Sequence, residues 1–160
     1  MIPKRILFVC TGNSCRSVMA QGILRQMLEQ ARLASVQVES AGVFAVDGMT
    51  ATRETQRVLQ AVGVDCSAHR ARTLMPYMVE EADLVLAMEQ FQLEEILRRV
   101  PSAKEKVHLL KTYGVSSDEA TGNLNIPDPI GKPLEVYEVC FAEIKEAVER
   151  VAKTMGLKPV

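Results

Sequence analysis

The chain has 160 residues, 48% of them hydrophobic and 24% charged, and its 19 basic and 20 acidic side chains leave a formal net charge of -1. That length suits one domain over residues 1–160, able to bury roughly 70% of the surface its unfolded form exposes, and the near-neutral balance gives no footing to a nucleic-acid partner or a disordered tail. The N-terminal apolar run, Ile6 to Cys10, is too short for a secretion signal or a membrane span, so a cytoplasmic protein with no membrane partner is expected.

In chain order, Arg5 to Cys10 (RILFVC) is short, apolar and partly β-branched, as a strand buried on both faces should be. Met19, Ala20, Ile23, Leu24, Met27 and Leu28 then recur at helical spacing and predict a helix over 17–30 with one buried stripe. Val36 to Ser40 alternates as a strand, Ala41-Gly42 reads as a break, and helical periodicity returns over 50–62 before Gly63 closes it. Ala82 to Met88 is the most strand-like run, 91–100 reads as a helix stopped near Pro101, and Val107 to Leu110 is a fourth short strand. After a long polar segment, a last helix is expected over 133–155. Tyr137, Cys140, Ile144, Ala147 or Val148, and Val151 should be its buried stripe, with Pro133 in the first turn. Strands alternating with helices predict a doubly wound, Rossmann-like α/β fold: a four-stranded parallel sheet with helices on both faces.

In such a fold ligands bind beyond the carboxyl ends of the strands, where FVCTGNSCRS (Phe8 to Ser17) lies. Gly12 and Asn13 tolerate positive φ, so the loop can curl with its N–H groups inward. The following helix N-terminus adds partial positive charge, and Arg16 brings a planar fork that can hold two phosphate oxygens at once. The same field favours the thiolate of Cys10, and a thiolate beneath a phosphate is a nucleophile for phosphoryl transfer. Taken singly, each of these residues is more often structural. It is the C-x5-R-S spacing between a buried strand and a helix that points to phosphate chemistry. The four cysteines, Cys10, Cys15, Cys66 and Cys140, show neither zinc-ligand spacing nor a C-x-x-C pair, so they are expected as thiols, with no metal and no cofactor.

CTGNSCRS, Cys10 to Ser17, resembles the active-site loop of the low-molecular-weight protein phosphatases. The likeness continues through Ser40-Ala41-Gly42, His69-Arg70-Ala71-Arg72, the strand ending Met88-Glu89, and Asp128-Pro129, in the family's order along nearly the whole chain. It implies that Cys10 forms a cysteinyl-phosphate, that Arg16 grips the phosphoryl group, and that Thr11, Gly12, Asn13, Ser14, Cys15, Arg16 and Ser17 make the phosphate cradle. Ser17 would hydrogen-bond the Cys10 thiolate, and Asn13 would hold the loop through Ser40 and His69. Asp128 sits between two prolines in IPDPIGKP, which restrict where its carboxylate can swing. An aspartate in a D-P loop is more often a solvated turn residue, but the resemblance gives it the general acid and base role that this chemistry needs. His108 has only a structural reading, and Asp118 and Glu119 read as solvated loop residues. The chain departs from the family in having Val18-Met19-Ala20-Gln21 where Pro-Met-Ala-Glu is usual, and Glu89 where aspartate is usual.

The substrate rim is the informative departure. Members acting on phosphotyrosine resemble one another in having tyrosines after the D-P and a bulky aliphatic residue at the position of Ser14; here Ile130 and Gly131 follow Asp128-Pro129. Members acting on protein phosphoarginine have the similar loop C-T-G-N-T-C-R-S and share SAGVFA, here Ser40 to Ala45, which brings Phe44 to the rim with Ser14 and Ile130. A small polar Ser14 leaves room for a guanidinium and its hydrogen bonds. Phosphorylated proteins, phosphoarginine first and phosphotyrosine second, are therefore the expected partners. A thioredoxin-coupled arsenate reductase would want a cysteine pair near the third strand, and Thr73 to Lys106 contains none; a phosphoprotein-binding module would not need Cys10, Arg16 and Asp128 together. Since Cys15 lies in the same tight loop, it could trap a Cys10 sulfenic acid as a disulfide. Peroxide is expected to inactivate the protein reversibly, and thiol should restore less activity to Cys15→Ser; equal recovery would remove the protective role.

Overall fold

The computed structural model describes residues 2–116 and 122–157; the expectation for Asp118 and Glu119 lies outside them. The strands are β1 (Arg5–Cys10), β2 (Gln37–Gly42), β3 (Leu84–Ala87) and β4 (Val107–Leu109). The helices are α1 (Arg16–Gln30), α2 (Arg53–Gln60), α3 (Pro76–Glu81), α4 (Gln90–Arg99) and α5 (Leu134–Thr154). Among the described residues the sheet is four-stranded and parallel throughout, in the order β2-β1-β3-β4.

The two faces are sorted by alternation along β1. Ile6, Phe8 and Cys10 join the core formed with α1, α2 and α5, whereas Leu7 and Val9 join the one formed with α3 and α4. Successive side chains on a strand point to opposite faces, so the parity that buries Phe8 also carries Cys10 to the side of the sheet that α1 covers. On β2, Val38 belongs to the same core, and Ser40, two residues on, shares its face. β1 lies between β2 and β3, where the strand order reverses, so its carboxyl end opens at the topological switch point. The six apolar residues expected on α1 are all buried, as are Tyr137, Cys140, Ile144, Ala147, Val148 and Val151 on α5.

Four local expectations change. Ala41-Gly42 is not a break but the end of β2, with Gly42 paired to Cys10. A Cβ at Gly42 would lie 2.4 Å from the Thr11 carbonyl oxygen and 2.9 Å from the Asn13 nitrogen, so glycine is there for close approach of backbone, not for a turn. The helix expected over 50–62 is shortened to α2, because the Thr52 side chain accepts from Thr55 N at 3.2 Å and caps it there. The short α3, with Pro76 in its first turn, was not expected: six residues are too few to show a period. Pro133 is the extended residue preceding α5 and not part of its first turn.

Gly42→Ala should lower the unfolding free energy by about 1–3 kcal/mol, the usual cost of overpacking a filled site. Denaturant titration reads this, and a variant as stable as the wild type would show that β2 can move away from the loop.

Candidate active site

Residues 11–15 connect β1 to α1, and four carbonyls from Cys10 to Ser14 are bonded from outside. Cys10 O accepts from Val43 N at 3.0 Å, Thr11 O from Phe44 N at 3.0 Å, Asn13 O faces His69 Nε2 at 2.8 Å, and Ser14 O accepts from Thr52 N at 3.1 Å. A peptide whose C=O is held outward turns its N–H the other way, so the loop is a nest of inward donors closed by the first turn of α1. Asn13 N already donates to Cys10 Sγ at 3.2 Å. Asn13 supplies the left-handed residue this curl needs, with φ 54°. Gly12 does not take positive φ, contrary to one half of the sequence reading.

Asn13 is fully buried and all its side-chain polar atoms are used. Nδ2 donates to Ser17 Oγ at 2.8 Å and to Ser40 Oγ at 2.9 Å, and Oδ1 accepts from Arg72 N at 3.0 Å. Ser17 Oγ lies 2.9 Å from Cys10 Sγ. With that oxygen accepting from the amide, its proton is left to point at the sulfur. On the far side of Ser40, the Gln21 amide bonds to Ser40 Oγ and accepts from Arg25 Nη1 and Nη2 at 2.8 Å. His69 reaches a carbonyl, which can only accept, so Nε2 carries the proton. Burial lowers the His69 pKa, helped by the charges of Arg25, Arg70 and Arg72 and opposed by the bond to Asn13 O.

Arg16 is 1% exposed, and its guanidinium is divided between two tasks. Nη1 donates to Glu89 Oε1 and, at 2.7 Å, to Ile126 O. Among the described residues Nη2 has only long contacts, 3.5 Å to Thr11 Oγ1 and 3.5 Å to Asp128 Oδ2, and the buried Nε has no hydrogen-bond partner. One edge of the fork is anchored; the Nε–Nη2 edge offers two parallel N–H groups of the kind that hold an oxyanion bidentately. Burial opposes the charge of Arg16, but the facing Cys10, Glu89 and Asp128 outweigh it and raise the pKa above its usual value. Asp128 is held at the mouth: Oδ1 accepts from Ile130 N at 3.0 Å while Oδ2 faces Arg16.

The structure thus brings Cys10, Asn13, Arg16, Ser17, Ser40, His69 and Asp128 together around one loop. Ser14 is 9% exposed, and Phe44 and Ile130 stand open at 60% and 53%. Phe44 also meets Phe91 of α4, ring centroids 5.8 Å apart, a contact the sequence did not announce. Cys15 is buried, its sulfur 3.5 Å from Tyr137 Oη and 3.6 Å from Thr52 Oγ1. All four cysteines are free thiols. Burial pushes the Cys140 thiol up to about 12 and also raises Cys66. Glu89, Arg72 and Gln92 were missed as site residues. The signal for two of them was present: Glu89 and Gln92 form a capping box at the start of α4, an acceptor followed three residues later by glutamine.

Against known proteins, residues 5–159 match the family model described as low molecular weight phosphotyrosine protein phosphatase. The chain belongs to this family. It is a phosphatase. It is 39% identical to a protein-arginine-phosphatase of Geobacillus stearothermophilus over 96% of this chain and 97% of that one. It is 38% identical to a probable low molecular weight protein-tyrosine-phosphatase, EpsP, of Ralstonia nicotianae, over 91% and 92% of the two chains. Among solved structures it resembles the YwlE arginine phosphatase in a cysteine-to-serine mutant with phosphorylated active-site serine, at 32% identity and TM-score 0.86, covering 95% of each chain.

His69 links the loop to pH. The fold favours the neutral ring, so below about 6.5, the ordinary histidine value, the unfolded chain takes up the proton more readily than the folded one. The stabilisation is complete above that pH and is lost as pH falls toward the depressed folded value. Unfolding free energies at pH 7.5 and 5.5 should therefore fall further for the wild type than for His69→Gln; equal falls would mean that the ring is not held neutral.

Proposed function

We propose that this phosphatase hydrolyses phosphoarginine in proteins through a phosphocysteine intermediate. The observation that carries the phosphoryl-transfer part is the placement of Cys10 Sγ beneath inward amides together with the Nε–Nη2 edge of Arg16, where among the described residues Nε has no partner and Nη2 only long ones. In the first step the Cys10 thiolate forms a bond to phosphorus while the bond from phosphorus to the leaving nitrogen breaks, and Asp128 delivers a proton to that nitrogen. In the second, water attacks phosphorus, gives its proton to Asp128, and the S–P bond breaks to return the thiolate and free phosphate. Thr11, Gly12, Asn13, Ser14 and Cys15 contribute backbone N–H groups, Arg16 and the start of α1 balance the growing equatorial charge, and Ser17 stabilises the sulfur as it becomes a leaving group. Ser40 and His69 keep the loop in shape. No step calls for a metal or a cofactor.

Arginine as the target is supported by the small Ser14, by Ile130 and Gly131 after Asp128-Pro129, and by similarity to the Geobacillus enzyme. Asp128 at the mouth, a carboxylate beside the phosphate loop, suits a cationic leaving group. Phosphotyrosine is the second reading, favoured by the exposed Phe44–Phe91 pair, which offers a phenol ring an aromatic contact of about 0.5–1.5 kcal/mol. Four free thiols suit a reducing compartment, in keeping with a cytoplasmic location.

Steady-state kinetics on matched phosphoarginine and phosphotyrosine peptides should show the higher kcat/KM on phosphoarginine; a large preference for phosphotyrosine overturns the substrate assignment. Cys10→Ser should release no phosphate, and Asp128→Asn should lose about 10²–10⁴-fold in kcat on phosphoarginine, the usual contribution of a positioned acid. Full turnover by the Asp128 variant would take that role away.

A further inference from the structure

Gln92 lies in none of the motifs around the loop, yet it is fully buried, and its side chain joins the start of α4 to the loop. Oε1 accepts from Met88 N at 3.0 Å and Glu89 N at 2.9 Å, and Nε2 donates to Thr11 Oγ1 at 3.0 Å. The first of these interactions belong to the capping box, in which Glu89 and Gln92 satisfy the free amides at the start of α4. An ordinary capping box has no need of the rest. Here each partner uses its remaining capacity on the phosphate loop: the Glu89 carboxylate takes Arg16 Nη1, and the Gln92 amide takes Thr11 Oγ1, itself 3.5 Å from Arg16 Nη2. The start of α4 therefore anchors Nη1 directly and fixes the threonine hydroxyl that stands 3.5 Å from Nη2.

We propose that Gln92 is a positioning residue for the phosphatase reaction, acting through Thr11 to fix the free edge of the Arg16 fork. The inference rests on the reading of Arg16 as the phosphoryl clamp. With Gln92 donating, the Thr11 oxygen is pinned as an acceptor, and a guanidinium pivoting on its Glu89 and Ile126 anchors meets a fixed stop at Nη2. Without that donor the threonine can rotate its hydroxyl away, and the Nε–Nη2 edge loses its stop. Bidentate catalysis is sensitive to such shifts, since a displacement of about 1 Å can cost on the order of 100-fold in rate.

The test uses Gln92→Glu, which keeps an oxygen for the Met88 and Glu89 amides but removes the donor to Thr11, together with Thr11→Val and the double variant. Thermal denaturation, kcat and KM on p-nitrophenyl phosphate, and vanadate affinity by calorimetry are measured for all four proteins. Gln92→Glu should melt near the wild type, lose about tenfold in kcat and in vanadate affinity, and change KM by less than about threefold. Thr11→Val should show a similar loss, and adding Gln92→Glu to it should cost little more, because the path is already cut. Losses that multiply in the double variant, or unchanged kcat and vanadate affinity in Gln92→Glu, overturn the proposal. If Gln92→Glu melts far below the wild type, the Thr11→Val background decides: its kcat and vanadate affinity must still fall. Vanadate binding is read without turnover, so an inactive wild type would sink the functional reading and leave this test standing.

Discussion

The loop after β1 has its shape because its carbonyls are bonded from outside. Val43 and Phe44 take the first two, His69 faces the Asn13 carbonyl and Thr52 takes that of Ser14, all from the chain between the end of β2 and the start of α3. Inward amides would otherwise repel one another at the centre of the curl, and the bond from Asn13 N to Cys10 Sγ answers just one of them. Asn13 completes the constraint from inside: a left-handed residue whose amide ties Ser17, Ser40 and the Arg72 backbone into one piece. Everything else at the site is placed relative to this fixed ring, including the sulfur beneath it and the guanidinium at its edge.

The two faces of the sheet contribute different things. From the α1 face come the sulfur, the helix N-terminus and the hydroxyl of Ser17; from the α4 side come the carboxylate that holds Arg16 and the amide that bonds Thr11. Arg16 belongs to α1 in sequence and to α4 in its bonding, and so joins them. A guanidinium so deeply buried is tolerated because Glu89 and the Ile126 carbonyl answer one of its edges. Breaking one partner of a buried ion pair usually costs about 3–5 kcal/mol, since the other charge stays in place. The conformational freedom of Arg16 is spent in folding, not in binding.

The alternation of β1, the stripes of α1 and α5 and the C-x5-R-S spacing were legible because each repeats a local period or a fixed offset. The polar scaffold around them followed no such period; its Asn13, Ser17, Ser40 and His69 members came from the family resemblance alone, and the rest were missed. Arg72 reaches Asn13 across 59 residues and Gln92 reaches Thr11 across 81, and no local pattern encodes a bond of that span. Gly42 was legible as a glycine but not for its reason: a strand end and a turn both favour that residue, and only the approach of the Thr11 carbonyl tells them apart. The short α3 escaped for want of length, and the true limits of α2 depended on one threonine hydroxyl.

A ring of amides that is already in place before anything binds needs no reorganisation when a phosphoryl group arrives, which is what makes such donors effective. The same readiness has a cost in discrimination. Inward N–H groups and a guanidinium edge read only size, tetrahedral shape and negative charge, so the loop cannot tell the group it must transfer from the free phosphate it releases. Inhibition by free phosphate is therefore expected of the proposed reaction. In the proposed reaction, choice between substrates falls to the side chains assigned to the rim, Ser14, Phe44, Asp128 and Ile130, and to the part of the molecule that is not phosphate.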